Sequence, residues 1–315
     1  MIPTWFLCLW LTLASPPPST QPLPDTLKAQ LEELYKTAKK WGVGENREKV
    51  PEARRQLAAY GEAALRFLFT EKVRTLNALE LRVFKFVVQR NRRRALPYLH
   101  QALESENDTV RRVALWLVGE VKDSSALPKL QTMLTAEGRP RMRARVLGAL
   151  GKIGDTTAAS WVAPYLKDTS RFVRYAAASA LVKLHQPRWV PVYLTLLRDP
   201  DFQLHQAGLA GLAREPATAI DSLEARWREE VRPRDLQALA RVLASPDLHL
   251  TDRQRRAWRA RLVPLRHHPD PAVRLYAAKA LKSLGGKSLR SLLLAWQEQE
   301  TDPMVWNTLR LILQE

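Results

Sequence analysis

Histidine is the side chain best suited to bind a metal or move protons near neutral pH, and this chain has six histidines. None is followed by a glutamate, and no two are spaced as His-x-x-x-His, which would place two ligands on one helical face. They are His100, His185, His205, His249, His267 and His268. The adjacent pair among them points to different sides of a helix or lies in a turn. We therefore expect no metal, no cofactor and no catalytic residue, and we predict that the protein is not an enzyme.

Arginine gives a stronger signal than histidine. The chain has 50 basic and 32 acidic residues, for a formal net charge of +18. This balance favours an acidic partner, such as an acidic protein, another polyanion, nucleic acid or an anionic membrane surface. A solvated arginine-rich surface is the alternative interpretation.

Three groups of arginines are candidates for binding a polyanion. They are Arg92, Arg93 and Arg94, then Arg141 and Arg145, then Arg255, Arg256 and Arg259. Arg255 and Arg259 lie four residues apart on one predicted helix, so they repel each other unless an anion relieves the repulsion. If the three groups lie on one surface, they form a stripe that can bind phosphates or acidic side chains. If they lie on separate surfaces, they are solvated clusters. The sequence leaves both arrangements open.

The ten tryptophans could stack on nucleic-acid bases, but their positions favour the core. Six of them fall at or near apolar positions of predicted helices: Trp116, Trp161, Trp189, Trp258, Trp296 and Trp306. We expect these six to fill the interior.

The N-terminus resembles an export signal. Trp5 to Ala14 form an apolar run that is too short to span a bilayer, and Ala14 and Ser15 are small enough for a cleavage site. We predict a signal over residues 1–15, a proline-rich linker over 16–25, and export to the cell envelope or beyond. No membrane span is expected in the mature chain. If the run is not a signal, the protein is cytoplasmic. Cys8 lies in this run and is the only cysteine, so neither a disulfide nor a cysteine metal site can form within the chain.

Helical repeats occupy the rest of the chain. Arg111, Arg143, Arg174 and His205 follow one another at intervals of 31 or 32 residues, and Arg274 and Trp306 are again 32 apart. Each interval contains two predicted helices, the first often opened by a proline and the second carrying Val-Arg. A fixed period of this kind predicts an all-α fold, an α-solenoid of helix pairs, over residues 26–315. The repeats are clearest over 95–212 and 264–313.

The pattern Asp-x-x-Val-Arg followed by x-x-Ala-x-x-Ala-Leu resembles HEAT repeats, most closely the HEAT-like repeats of the phycobilisome lyase type. This resemblance implies that Arg111, Arg143, Arg174 and Arg274 form a structural ladder with aspartates of adjacent repeats. It also implies that the interfaces at His205 and Trp306 are held in another way. HEAT-like folds include both scaffolds and enzymes, so the fold does not decide the function.

Two functions remain open from the sequence. The first is a non-enzymatic scaffold or adaptor that binds an acidic protein or other polyanion, in the cell envelope, with salt-sensitive affinity. The second is a nucleic-acid-binding HEAT-like protein, related to the DNA glycosylases of that fold. The partner's identity and the oligomeric state are not encoded in any motif of this chain.

Overall fold

The computed structural model describes residues 21–75, 77–227, 232–285 and 287–314. The apolar run on which export was predicted, and Cys8 within it, lie outside these ranges. Throughout the described ranges the chain forms helices and connecting turns and no strand. The predicted all-α fold class is confirmed.

The chain packs as two compact units, the first ending at Asp155 and the second beginning at Thr156. The described helices of the first unit are α1 (Asp25–Ala38), α2 (Asn46–Ala59), α3 (Glu62–Phe67), α4 (Ala78–Arg90), α5 (Arg92–Leu103), α6 (Asp108–Glu120), α7 (Leu127–Ala136) and α8 (Pro140–Ile153). Those of the second unit are α9 (Ala159–Val162), α10 (Arg171–Lys183), α11 (Val190–Leu196), α12 (Phe202–Arg214), α13 (Pro216–Trp227), α14 (Pro233–Leu243), α15 (Asp252–Leu262), α16 (Pro271–Leu284), α17 (Lys287–Gln299) and α18 (Pro303–Gln314).

Within each unit the helices form pairs that stack in two layers. Each odd-numbered helix packs on the even-numbered helix that follows it. The even-numbered helices, which we call the second helices, also pack side by side, from α2 to α8 in the first unit and from α10 to α18 in the second. The odd-numbered helices, which we call the first helices, form the other layer. Because one pair cannot bury its apolar faces alone, neighbouring pairs share the core, as the α-solenoid prediction requires.

The boundary between the two units was not predicted, since the sequence indicated one solenoid over residues 26–315. It falls beside the shortest first helix, α9, which makes a single turn before a 3₁₀ segment over Ala163–Lys167. Between His205 and Arg274, where the sequence has no Val-Arg pair at the repeat spacing, α14 is the second helix.

Helix starts follow the capping residues. The side chains of Asp201 and Asp270 accept bonds from the first backbone N–H groups of α12 and α16, and Thr251 forms a capping box with Gln254 at α15. At α6 the cap is Asn107, whose side chain accepts from Thr109 N and Val110 N. Proline opens α7, α11 and the 3₁₀ segment after α9, whereas Pro97 lies inside α5 because that helix already begins at Arg92.

The tryptophans are less buried than expected. Trp258 and Trp296 lie in the core, but Trp116, Trp161 and Trp189 are only half-buried, and Trp306 is 41% exposed. Small and aliphatic residues make up most of the core, chiefly Leu, Val and Ala from both helix layers. The prediction that all six fill the interior is therefore wrong for four of them.

The signature arginines bend back to the loop before their own helix. Arg111 donates to Ser105 O at 2.6 Å, Arg174 to Asp168 O at 3.0 Å, and Arg274 to His268 O at 2.9 Å. Each acceptor lies six residues before its arginine, so the same bond recurs in three repeats. Backbone carbonyls that follow a first helix are thereby satisfied by a side chain of the paired second helix.

For Arg111 and Arg274 the structure shows acidic partners other than the predicted aspartates of adjacent repeats, and for Arg143 and Arg174 the ladder stays a prediction. Arg111 pairs with Asp108 of its own helix, and Arg274 pairs with Glu300 rather than with an aspartate. Adjacent repeats are joined instead by Arg139 with Asp108 and by Arg171 with Asp201. The signature arginines Arg111, Arg174 and Arg274 are directed at loop carbonyls. The aspartates of adjacent repeats are therefore contacted by arginines at the start of second helices, Arg139 and Arg171. The structure places Arg143 half-buried on α8.

The repeat with His205 in place of arginine is held differently, as expected. Arg234 reaches from the next repeat and donates to Leu197 O at 2.9 Å and to Asp199 O at 3.1 Å. Of the two His205 ring nitrogens, Nδ1 lies 3.0 Å from Leu197 O and Nε2 lies 2.9 Å from the amide oxygen of Gln237. A buried histidine and an arginine from the next repeat together replace the missing signature arginine.

The ion pair between Arg274 and Glu300 is well buried, with side chains 14% and 3% exposed. Burial alone would raise the pKa of the Glu300 carboxyl group. Hydrogen bonds from Arg274, from Asp302 N and from the Trp296 indole outweigh that effect and hold the pKa at about 2, against an ordinary 4.5. This difference corresponds to about 3 kcal/mol of folding free energy at neutral pH.

We expect Glu300→Gln to lower the free energy of unfolding by about 3 kcal/mol at pH 7. Because the pKa is lower in the folded state, this contribution is complete above pH 4.5 and is lost as the pH falls towards 2. Urea titrations of both proteins from pH 7 to pH 3 should therefore show their stabilities converging. A difference that stays constant over this range would contradict the assigned pKa.

Candidate functional site

The structure places two of the three predicted arginine groups on first helices. Arg92, Arg93 and Arg94 form the first turn of α5, and Arg92 donates to Lys122 O at 3.1 Å. On α15, Arg259 donates to Leu284 O at 2.8 Å and to Gly285 O, so it caps the end of α16. Arg255 and Arg256 lie on the same helix, half-buried and exposed respectively.

The third group lies on a second helix and gains a member that the sequence did not indicate. Arg141 and Arg145 lie on α8, and Arg112 lies on α6, which packs directly against it. We call Arg112, Arg141 and Arg145 the arginine cluster. None of the three forms an ion pair with any residue that the structure describes. A surface of adjacent, unneutralised guanidinium groups is therefore present in the first unit.

The guanidinium groups of the arginine cluster are close enough to repel one another. Partial burial lowers the pKa of the Arg145 guanidinium, and the positive charges of Arg112 and Arg141 lower it further. Arginine stays protonated at physiological pH in any case, so the shift reports repulsion and not neutralisation. An anion bound at this point would relieve that repulsion.

The neighbouring side chains of the same layer are already paired. Glu120 of α6 accepts from Lys85 of α4 and from Lys152 of α8, so one carboxylate joins three second helices. Lys152 also lies 5.7 Å from the ring centroid of Trp116. Glu120 offsets one of the two lysine charges, and the arginine cluster adds three guanidinium groups without an ion pair among the described residues.

Arg112 was missed because the sequence groups were assembled from neighbours along the chain. Arg112 precedes Arg141 by 29 residues and Arg145 by 33, close to one repeat period. Residues one period apart on second helices lie side by side when the helices stack. Comparing charges between successive repeats would have found the cluster.

One Ser-His-Asp contact set lies in the first unit, at the turn before α7. Asp123 Oδ2 lies 2.7 Å from His100 Nε2, while the Ser125 hydroxyl donates to Asp123 Oδ1 at 2.5 Å. Ser125 Oγ and the same His100 nitrogen are 3.5 Å apart. A nucleophile relay needs the acid and the serine on opposite ring nitrogens. Here both face Nε2, and Asp123 also accepts from Ser125 N, so the set caps a turn.

Among the described residues, no three histidine, cysteine, aspartate or glutamate side chains are grouped so as to hold a metal ion. Within the same part of the chain, no helix is both long enough and apolar enough to cross a membrane.

Comparison with known proteins identifies the repeats. Residues 72–147, 96–182 and 134–213 each match the family model for HEAT repeats. A phycocyanobilin lyase subunit alpha from Picosynechococcus sp. is 29% identical over 180 residues, which cover 50% of this chain and 67% of that protein.

Two solved structures are similar to this chain, each with a TM-score below 0.5. An engineered protein is 15% identical with a TM-score of 0.41, and covers 94% of this chain and 96% of its own. The complex of CpcE and CpcF of phycocyanin lyase from Nostoc sp. PCC7120 is 21% identical with a TM-score of 0.38, and covers 87% of this chain and 100% of its own.

The likeness to a lyase subunit contradicts the prediction that this protein is not an enzyme, because the relative belongs to an enzyme. The predicted resemblance in repeat type is confirmed by the family match and by the same relative. Residues 72–213 of this chain therefore match HEAT repeats.

Proposed function

We propose that this chain is the partner-binding subunit of a lyase-like assembly, and that the arginine cluster binds an acidic face of the protein on which that assembly acts. The observation that carries this proposal is the cluster itself. Arg112, Arg141 and Arg145 converge from two packed helices, and none has an ion-pair partner among the described residues. An acidic surface supplies the missing charges.

The second helices make the cluster a suitable binding surface. α6 and α8 pack against each other over their length, so the guanidinium groups start from a rigid frame. A preorganised surface loses less conformational entropy on binding than a flexible loop does. Arginine is also enriched at protein interfaces, because its planar fork matches a carboxylate.

Two observations favour a protein over nucleic acid as the partner. The Trp116 ring beside the cluster is half-buried and already faces Lys152, so it is poorly placed to stack on a base. The relative is named as the alpha subunit of a phycocyanobilin lyase, and a subunit by its name is one chain of an assembly. In such an assembly this chain holds the acidic substrate protein through charge contacts that weaken with salt.

A test uses the tagged full-length chain purified from its source cells. We expect an acidic protein to remain bound after nuclease treatment and to be released by salt. The intact mass of that protein, from cells with and without this chain, should differ by a covalent addition. Loss of the partner on nuclease treatment would assign the cluster to nucleic acid. Equal masses would overturn the lyase-like role.

The export prediction has its own test and stays a prediction. The intact mass of the purified chain shows whether the signal predicted over residues 1–15 has been removed.

A further inference from the structure

A groove crosses the second helices of the second unit and is separate from the arginine cluster. It has a volume of about 490 Å³ and takes its lining from α12, α14, α16 and α18. Ala240 of α14 and Ala244, which directly follows that helix, line it between longer side chains such as Tyr276 and Leu311. These small residues therefore leave a depression between the neighbours of α14.

The groove is basic. Arg241 of α14 and Lys279 and Lys282 of α16 line it, and no acidic residue is among the described residues that do. Arg241 and Lys279 are exposed, and neither forms an ion pair with a described residue. The Lys279 ammonium lies 5.7 Å from the Tyr276 ring centroid, which holds it at the wall of the groove. The groove thus presents positive charge with an aromatic support.

The groove also offers amide groups at the repeat spacing. Gln206 of α12 and Gln237 of α14 are 31 residues apart and both line it. The Gln237 amide oxygen is 2.9 Å from His205 Nε2, so the buried histidine fixes the orientation of that amide. Amides at successive repeats are suited to hydrogen-bond the main chain of an extended peptide.

The ends of the groove differ in character. The cations lie on α14 and α16, while Leu311 and Ile312 of α18 supply apolar surface. Four helices at interaxial distances of about 8 to 10 Å span about 27 Å, the length of about eight extended residues. A bound segment needs carboxylates near the middle and an apolar side chain towards α18.

We propose that this groove binds an extended acidic segment of a partner protein. Glutamate or aspartate side chains face Arg241 and Lys279, the main chain bonds Gln206 and Gln237, and an apolar side chain packs on Leu311 and Ile312. The inference rests on the proposed function for the identity of the partner, an acidic protein. Peptide binding by the groove is measurable without that partner.

The test is fluorescence polarisation with the full-length chain and a labelled peptide of about ten residues, in which glutamates surround one leucine. We expect the double variant Arg241→Glu with Lys279→Glu to bind at least about thirtyfold more weakly, because like charges now face the peptide. The matched control reverses Arg253 and Arg256, which are exposed on α15, and should bind within about twofold of the unchanged chain.

Three results would overturn the proposal. Equal losses in both variants would show that net charge, and not the groove, governs binding. If a peptide with glutamine in place of every glutamate bound as tightly as the acidic peptide, Arg241 and Lys279 would have no role in binding. Displacement of the peptide by inorganic phosphate at comparable concentration would assign the groove to small anions. Reversal of the arginine cluster should leave peptide binding intact, so failure here is distinguishable from failure of the proposed function.

Discussion

Reversing the arginine cluster should weaken binding of the acidic partner by at least about a hundredfold, or about 3 kcal/mol. The variant carries Arg112→Glu, Arg141→Glu and Arg145→Glu together. Each substitution replaces an attraction to the acidic face by a repulsion, and like charges opposed across an interface cost several kcal/mol. Binding of the purified partner, measured by calorimetry at moderate ionic strength, gives the comparison.

The control for this experiment has the same charge change elsewhere. Arg253, Arg255 and Arg256 of α15 are replaced by glutamate, so both triple variants have a formal net charge of +12 instead of +18, two charges being lost at each position. The account predicts that this control keeps its affinity within about threefold. It also tests the sequence-based prediction that Arg255 and Arg256 bind the polyanion. If the α15 variant lost its affinity for the partner while the cluster variant kept it, the binding surface would lie on α15 and not at the arginine cluster.

Gly211→Ala should destabilise the second unit by about 3 kcal/mol, at the upper end for an overpacked core. A Cβ atom at Gly211 would lie 2.5 Å from the ring of Tyr193, which is fully buried between α11 and α12. The ring has little freedom to move, because the Tyr193 hydroxyl donates to Leu181 O of α10 at 2.9 Å. The substitution therefore forces α11 and α12 apart.

Gly148→Ala is the matched control for that prediction. Gly148 also lies inside a second helix, α8, but a Cβ atom there meets nothing within 4 Å. We expect this substitution to stabilise the protein by about 0.5 to 1 kcal/mol, because alanine is the better helix former. Urea denaturation followed by circular dichroism compares the two. Equal effects at the two glycines would show that α11 and α12 do not approach as closely as described.

The repeat period made much of the fold predictable. The Val-Arg signature located α6, α10 and α16, Arg143 at the repeat spacing located α8, and proline marked the start of several first elements. The partners of the signature arginines were not predictable in the same way. Arg111 and Arg274 reach loop carbonyls as well as acids, and the choice between them depends on loop geometry that no residue type reports. The replacement of an arginine by His205 and Arg234 is likewise visible only in three dimensions.

The candidate surfaces illustrate the same limit. Chain neighbours such as Arg92, Arg93 and Arg94 attract notice in a sequence, yet Arg92 serves a backbone carbonyl in the fold. Arg112 lies between the signature Arg111 and the buried Val113, so its position in the sequence does not mark it as a candidate. Its importance comes from the stacking of α6 on α8. The groove depends on Ala240 and Ala244, whose small size matters only because their neighbours are larger.

The central claim, that an acidic partner lies on the second helices, is tested most directly by arginine-selective labelling with mass spectrometry. The full-length chain is labelled with and without its partner at the same ionic strength. The account predicts that Arg112, Arg141 and Arg145 are protected in the complex, while Arg93, Arg253 and Arg256 on the first helices label as fast as in the free chain. Protection of those first-helix arginines, with the cluster still labelled, would contradict it.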